Sequence, residues 1–377
     1  MSDIEWTNRT HDIAEGCSPE SPGCTSCWAA QLVGTRFNHN PAYAGLVADG
    51  RFTGEVRLRP DRLRAPLGAR TAARWFVCSR ADLFHPRVPD AYIAAEWCIA
   101  YWTSTEARGP GSARSGRLPK PVQTFQVLTK RHRRLERWTN GWADPAQRQA
   151  WIGEAVERGW CEPADLEYGP FMPAAMPNIW LGVSVENQEW ADMRVPALLR
   201  SPAAVRWVSA EPLLGPVDLS RYLYLTGPST AGPFYDYAGN LRVRSVGAGG
   251  QTFTSVPARD LHWIVVGGET ARGRQYPRPM HPAWVRSLRD QCTAAEVGFF
   301  MKQWGDWASP DQFDCVGYDD VEMGWSGLTM WPDGRTAAGP AGTCVDGSEL
   351  LWRVGKRRAG HLLDGLEYLE APRPVTR

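Results

Sequence analysis

The chain predicts an α/β fold, a parallel sheet or barrel with helices between its strands. Two features carry this reading. Short aromatic and β-branched runs recur along the chain and each ends in small or polar residues. Stretches with apolar residues at helical spacing lie between several of them. Strand alternating with helix is the pattern of parallel α/β architectures.

The runs are RWFVCSRADLF (74–84), TFQVLTKR (124–131), NIWLGVSVEN (178–187), VRWVSAEPLL (205–214), LHWIVVGGET (261–270) and VGFFMKQWG (297–305). Continuous apolar runs of this length suit strands buried on both faces of a parallel sheet. The helical stretches are 89–102, 145–160, 191–200 and 281–296, where Pro282 suits a first helical turn. Three segments read as additions. Residues 105–120 form a Gly/Ser/Arg-rich loop. Residues 220–260 carry YAGN and GAGG turn signals that predict a small hairpin excursion. The tail from about Ala308 reads as turns and short strands packed over the main domain.

At 377 residues and 43% hydrophobic, the chain can bury one large domain or two smaller ones. A net charge of +1 gives no global field for nucleic acid, so any polyanion must meet a local patch. Arg-rich stretches such as RHRRLER (131–137), 105–120 and KRR (356–358) can track phosphates. Nineteen tryptophans can serve as core or as stacking surfaces for bases. No apolar stretch approaches a membrane span, and the polar, acidic opening residues have no basic, apolar leader pattern. A cytoplasmic protein is expected.

Cys17, Cys24 and Cys27 sit C-x6-C-x2-C in GCSPESPGCTSCWA. Three thiolates leave one coordination position open, which suits an iron–sulfur cluster holding a non-protein ligand. Pro19, Pro22 and Gly23 let the loop fold back so that the sulfurs converge. A structural zinc site wants four protein ligands, and His11 or His39 is the available fourth. A disulfide with a spare thiol is the weakest of the three readings, because the other six of nine cysteines are scattered, several in apolar runs.

Parallel α/β folds build their sites at the carboxyl ends of strands. Candidates there are Ser79 and Asp82; Thr129, Lys130 and Arg131; Ser184, Glu186 and Asn187; Ser209 and Glu211; Gly267, Gly268 and Glu269; and Lys302 and Gln303. Polar residues also end strands simply because loops are polar.

Taken together, IEWT, the cysteine loop, SRADLFH, QVLTKR, WLGVSVEN, SAEPLLGPVDL, WIVVGGE and FFMKQWG resemble a phage-associated three-cysteine family. That family is usually described only as a domain of unknown function and looks like a branch of the radical S-adenosylmethionine superfamily. The resemblance implies a partial (β/α) TIM-like barrel of about six parallel strands over 1–307. Insertions fall near 103–120 and 220–260, and 308–377 form a C-terminal extension packed on the barrel. It also implies a 4Fe–4S cluster on Cys17, Cys24 and Cys27. The amine and carboxylate of S-adenosylmethionine would chelate the open iron, and an external donor would supply the electron that generates a 5′-deoxyadenosyl radical. By position Ser79 and Asp82 take the amine-binding role. Glu186 and Asn187 fall where the superfamily holds the ribose hydroxyls, with Ser184 beside them. Gly267 and Gly268 would admit a ligand against the backbone, with Glu269 as acceptor.

Two departures accompany the resemblance. The superfamily's commonest spacing is C-x3-C-x2-C, and here the aromatic Trp28 follows the third cysteine. The expected substrate is a modified thymidine in DNA or as a nucleotide, rearranged for example from N-linked to C-linked glycyl attachment. Lys130, Lys302 and Glu211 are the catalytic candidates, with Arg131 able to hold a carboxylate. A DNA-lesion lyase, an RNA or peptide modifier, and a non-enzymatic zinc-stapled nucleic-acid binder are the alternatives.

Overall fold

The apolar runs form strands of one seven-stranded sheet, all parallel and in chain order. They are β1 (Arg9–His11), β2 (Ala73–Val77), β3 (Gln123–Thr129), β4 (Ile179–Ser184), β5 (Val205–Ala210), β6 (Trp263–Gly267) and β7 (Gly298–Gln303). The sheet curls into a half-barrel whose edge strands β1 and β7 do not pair, which leaves one flank open. The structure is a computed structural model. It describes residues 4–104, 121–223, 234–235, 241–247, 250–255, 261–270, 276–312, 326–339 and 347–372.

The expected six strands are therefore seven. β1 is only three residues long, reads RTH, and has no apolar run to announce it. It is a strand because it lies in register along β2, with Arg9, Thr10 and His11 opposite Trp75, Phe76 and Val77.

Period-two alternation divides the side chains between two faces. Val77, Val127, Leu181, Val208, Ile264 and Met301 point outward into the main core. There they meet α2 (Asp90–Trp102), α3 (His132–Ala143), α4 (Pro145–Glu157), α5 (Gln188–Leu199) and α6 (Pro282–Ala294). These helices provide the crossovers between successive strands from β2 onward, except that among the described residues the β5–β6 connection holds no helix longer than the four-residue Ser220–Leu223. α1 (Trp28–Arg36) lies between β1 and β2 and packs on its own small cluster around Leu46 and Phe52. Phe76, Trp207, Trp263, Val265 and Phe300 point to the concave side. Trp6 plugs that side, with its ring edge-on to Phe76 at 4.7 Å and to Trp207 at 5.1 Å. Many of the tryptophans are thus core: Trp6, Trp138, Trp142, Trp207, Trp263, Trp304 and Trp307 are among the largest fully buried side chains.

The segment 131–137, read as an Arg-rich phosphate-tracking loop, is instead mostly the first part of α3. Arg134 donates to the carbonyls of His85 and Val88 and to Asp90, so it anchors the β2–α2 connection. Antiparallel strands Phe234–Tyr235, Leu241–Gly247 and Gly250–Ser255 occupy the excursion where the turn signals predict a hairpin. Residues 105–120 lie outside the described residues.

The tail contributes β8 (Trp307–Ala308), β9 (Gly327–Met330), β10 (Thr336–Ala338) and β11 (Glu349–Arg353), a four-stranded antiparallel sheet in the order β8-β11-β9-β10. Tyr368, Leu369 and Glu370 run along β7. Met301 donates its amide to the Tyr368 carbonyl at 2.8 Å, and Trp263 donates its indole N–H to the Glu370 carbonyl at 2.7 Å. Covering an edge strand in this way removes a pairing surface for other chains. No helix among the described residues is long and apolar enough to cross a membrane.

Candidate functional site

The three cysteines lie in the connection that leaves the carboxyl end of β1, the end at which parallel α/β folds gather functional groups. A two-residue strand, Ala14–Glu15, pairs with Arg57–Leu58 just before Cys17. Glu15 is buried and fixes the base of this connection. It accepts from Tyr43 at 2.9 Å, Arg62 at 2.7 Å and Arg80 at 2.8 Å. Burial alone would raise its pKa, but contact with Arg80 and then Arg62 holds it below the usual carboxylate range. Cys24 closes a 3₁₀ turn begun by Pro22, and Cys27 stands at the N-cap of α1. Each of the three thiols is free and partly exposed.

Three strand ends grip the loop. From β3, Arg131 donates to the Ser18 carbonyl and hydroxyl, both at 2.9 Å, and reaches the Cys17 sulfur at 3.7 Å. From β4, Glu186 accepts from the Ser21 hydroxyl at 2.6 Å. The loop passes so close that a Cβ at Gly23 would sit 2.5 Å from the Glu186 Oε1, which explains the glycine there. Beyond β6, Arg278 donates to the Pro22 carbonyl at 3.1 Å while Glu269 holds its guanidinium at 2.6 and 3.0 Å.

Cations surround the thiols. Burial pushes Cys17 up to about 12 against the opposing pull of Arg131. Burial also raises Cys27, against the opposing pull of the Ala30 amide at the start of α1 and, more weakly, of Lys130. Cys24 accepts a hydrogen bond from the Glu20 amide at 3.4 Å and acts electrostatically on Arg194. Each cysteine is thus within the field of a different cation: Arg131, Lys130 or Arg194. Cys17 and Cys27 each also feel the charge of Cys24.

Among the described residues, no three His, Cys, Asp or Glu side chains are arranged as a ready metal cage. The donor set still fits a thiolate-bound cluster in its chemistry: three soft ligands, with three cations placed to offset their charge on ionisation. His11, one of the two fourth ligands that a zinc site would use, is buried and paired with Glu96 at 3.1 Å.

The remaining predicted residues are placed as follows. Ser79 donates to Asp12 at 2.8 Å. Asp82 accepts from the Phe84 amide, the Thr129 hydroxyl, the Lys130 amide and Arg131, which fills the capacity of a carboxylate. It fixes Arg131 rather than presenting free lone pairs to an amine. Lys130 pairs with Glu186 at 2.7 Å, and Arg194, fully buried, pairs with the other Glu186 oxygen at 2.8 Å. Burial would raise Glu186, but Lys130 and Arg194 outweigh it and keep the carboxylate ionised. Asn187 caps α5 through the Trp190 amide at 3.2 Å. The Ser184 carbonyl accepts from Arg194 at 2.8 Å.

Gly267 and Gly268 make room for protein, not for a ligand. A Cβ on Gly267 would lie 2.6 Å from a Glu211 oxygen, and one on Gly268 would collide with the Trp304 carbonyl. Glu211 accepts from Ser209 at 3.0 Å and pairs with Lys302 at 2.8 Å. This second charged pair joins the ends of β5 and β7.

Sequence reading missed Arg278, Arg194, Ser18, Ser21 and His85. His85 accepts from the Arg87 amide through Nδ1, so its Nε2 carries the proton toward Ser18 at 3.0 Å. Burial, then the Arg131 charge, pushes this imidazole down to about 4, so it is neutral near pH 7. Arg278 has a visible signal, an arginine between two prolines in YPRPM; Arg194, inside a helix, has none.

Fold and site together define an open (β/α) half-barrel that carries a three-cysteine loop clamped over the carboxyl ends of its strands. The chain belongs to the family described as "Protein of unknown function (DUF5131)", which it matches over residues 1–108 and 117–372. No curated protein and no solved structure matches it.

Proposed function

We propose that this chain is a radical S-adenosylmethionine enzyme that rearranges a modified thymine base in DNA. The observation that carries the reading is the clamping of the cysteine loop by Arg131, Glu186 and Arg278, from three separate strand ends. A loop held only for structure has no need of a separate cation near each sulfur. When bound, a 4Fe–4S cluster with S-adenosylmethionine at its open iron supplies hydrogen abstraction through one-electron cleavage of the sulfonium.

The chain's own groups supply position and charge. Arg131, Lys130 and Arg194 offset the thiolate charge. Lys302 is oriented by Glu211, and with one N–H engaged it keeps donors for a substrate anion. In the N-linked to C-linked glycyl rearrangement that anion is the glycyl carboxylate. The α-carbon beside it gives a radical stabilised by both amine and carboxylate. A base drawn from duplex DNA reaches such a mouth only after leaving the stack, at a cost of a few kcal/mol. The biological setting in this reading is phage DNA hypermodification in the host cytoplasm, protecting the genome from restriction, with electrons from an external donor.

The test is mass spectrometry of nucleosides from the genome encoding this chain, with and without the gene. An isomerase predicts a nucleoside that keeps its mass and changes its chromatographic retention when the gene is lost. Identical nucleoside profiles contradict the assignment.

A further inference from the structure

The open flank of the half-barrel is a cleft of about 810 Å³, lined from one edge by Arg74 at the start of β2 and from the other by Phe300 and Lys302 of β7. The tail closes its rim with Lys356, Arg357 and His361. Most of the charges in this cleft are matched. Lys356 pairs with Glu5 at 3.0 Å, His361 with Glu367 at 2.8 Å, and Lys302 with Glu211 at 2.8 Å. Two guanidiniums are left over. Neither the Arg74 nor the Arg357 side chain has an ion-pair partner among the described residues that line the cleft.

Arg74 is half-buried, and burial without a counter-charge lowers its pKa. A desolvated cation facing an open cleft is costly unless an anion arrives. The planar fork of arginine matches phosphate oxygens in pairs, and two unpaired forks lining one cleft suit a phosphate better than a single small carboxylate. The volume fits a nucleotide. Phe300 lies on the same wall as Lys302, one position inward along the concave face of β7.

We infer that this flank is a phosphate-binding cleft in which Arg74 and Arg357 hold a backbone or nucleotide phosphate while the attached base lies toward Lys302. The inference names the substrate end of the proposed enzyme and takes its meaning from that reading. Its binding chemistry needs no cluster.

The test uses the full chain, a labelled short oligothymidylate followed by fluorescence polarisation at low salt, and thymidine 5′-monophosphate, inorganic phosphate and thymidine as competitors. The oligonucleotide should bind, the two phosphate-bearing competitors should displace it, and thymidine should not. Arg74→Gln and the exposed Arg357→Gln should each weaken binding about 10-fold and lower the slope of log affinity on log salt by about 0.7. Arg158→Gln, at the exposed C-terminal end of α4 where it pairs with Glu154, should leave binding unchanged. Should Arg74→Gln fail to fold, Arg357→Gln alone decides.

Displacement by the mononucleotide as strong as by unlabelled oligonucleotide marks a free nucleotide as the source, and a clear advantage for the oligonucleotide marks a strand. Both support the cleft. Absence of binding, equal displacement by thymidine, or wild-type affinity in the arginine variants overturns it. Oligonucleotide binding without deoxyadenosine formation sinks the radical reading and spares the cleft. Deoxyadenosine formation with unaltered binding in the arginine variants does the reverse.

Discussion

The two ends of the half-barrel's concave side are built from the same alternating strands and do opposite things. Toward the amino end, Trp6 meets Phe76, Trp207 and Trp263 edge-on, and Trp263 meets Phe300 likewise, so that this side is filled by aromatic rings. At the carboxyl end, inward positions carry Ser184, Ser209 and Lys302, and the turns beyond them carry Glu186, Glu211 and Arg131. The first arrangement makes the sheet curl and stay curled. The second keeps several charges out of bulk water, tolerable only because each is paired. Stability should therefore depend on one end and chemistry on the other.

Ways to break this division run from total to slight effects. Cys17→Ala, Cys24→Ala or Cys27→Ala should each abolish deoxyadenosine formation, while Cys161→Ala, a buried thiol in the outer core, should not. Chemical denaturation of the three variants should match wild type, and a large loss of stability would show that the loop is structural. Trp207→Ala should do the converse, destabilising by about 3–5 kcal/mol through the cavity left beside Trp6 and Trp263. Its denaturation midpoint is the check.

Glu186→Gln crosses the boundary between the ends. It leaves Lys130 and the buried Arg194 without a full counter-charge, at a cost of about 3–5 kcal/mol, and it loosens the Ser21 clamp. Both the denaturation midpoint and iron retention should fall; a change in neither would remove Glu186 from the site.

Acidification gives a smaller, graded effect. His85 has its folded pKa depressed to about 4, below its unfolded value of about 6.5. The unfolded chain thus takes up a proton first, and stability falls as pH drops from about 6.5 toward 4. Glu186, also depressed, adds its own loss only as pH falls through the acidic carboxylate range. Denaturation midpoints at pH 7 and pH 5 should differ, and His85→Gln should shrink the difference. At the small end, Lys356→Ala breaks an exposed pair with Glu5 and should cost about 0–1 kcal/mol.

Long elements were legible in the sequence, because six strands announce themselves as continuous apolar runs and α2, α4, α5 and α6 by helical spacing. The short β1 was not, since three polar residues carry no period; only its pairing with β2 makes it a strand. α3 was obscured by its arginines, of which Arg134 turns out to anchor the β2–α2 connection. At the site, the cysteines were visible from type and spacing. Roles were not, because Asp82, Asn187 and the glycines at 267 and 268 look equally like ligand contacts and like internal fittings. Only tertiary neighbours such as Arg131, Trp190 and Trp304 distinguish those uses.

The most direct measurement is anaerobic reconstitution of the full chain with iron and sulfide, followed by dithionite and S-adenosylmethionine. The account predicts a brown protein with four irons and four sulfides per chain that releases 5′-deoxyadenosine. A colourless protein that holds about one zinc and releases no deoxyadenosine would contradict it.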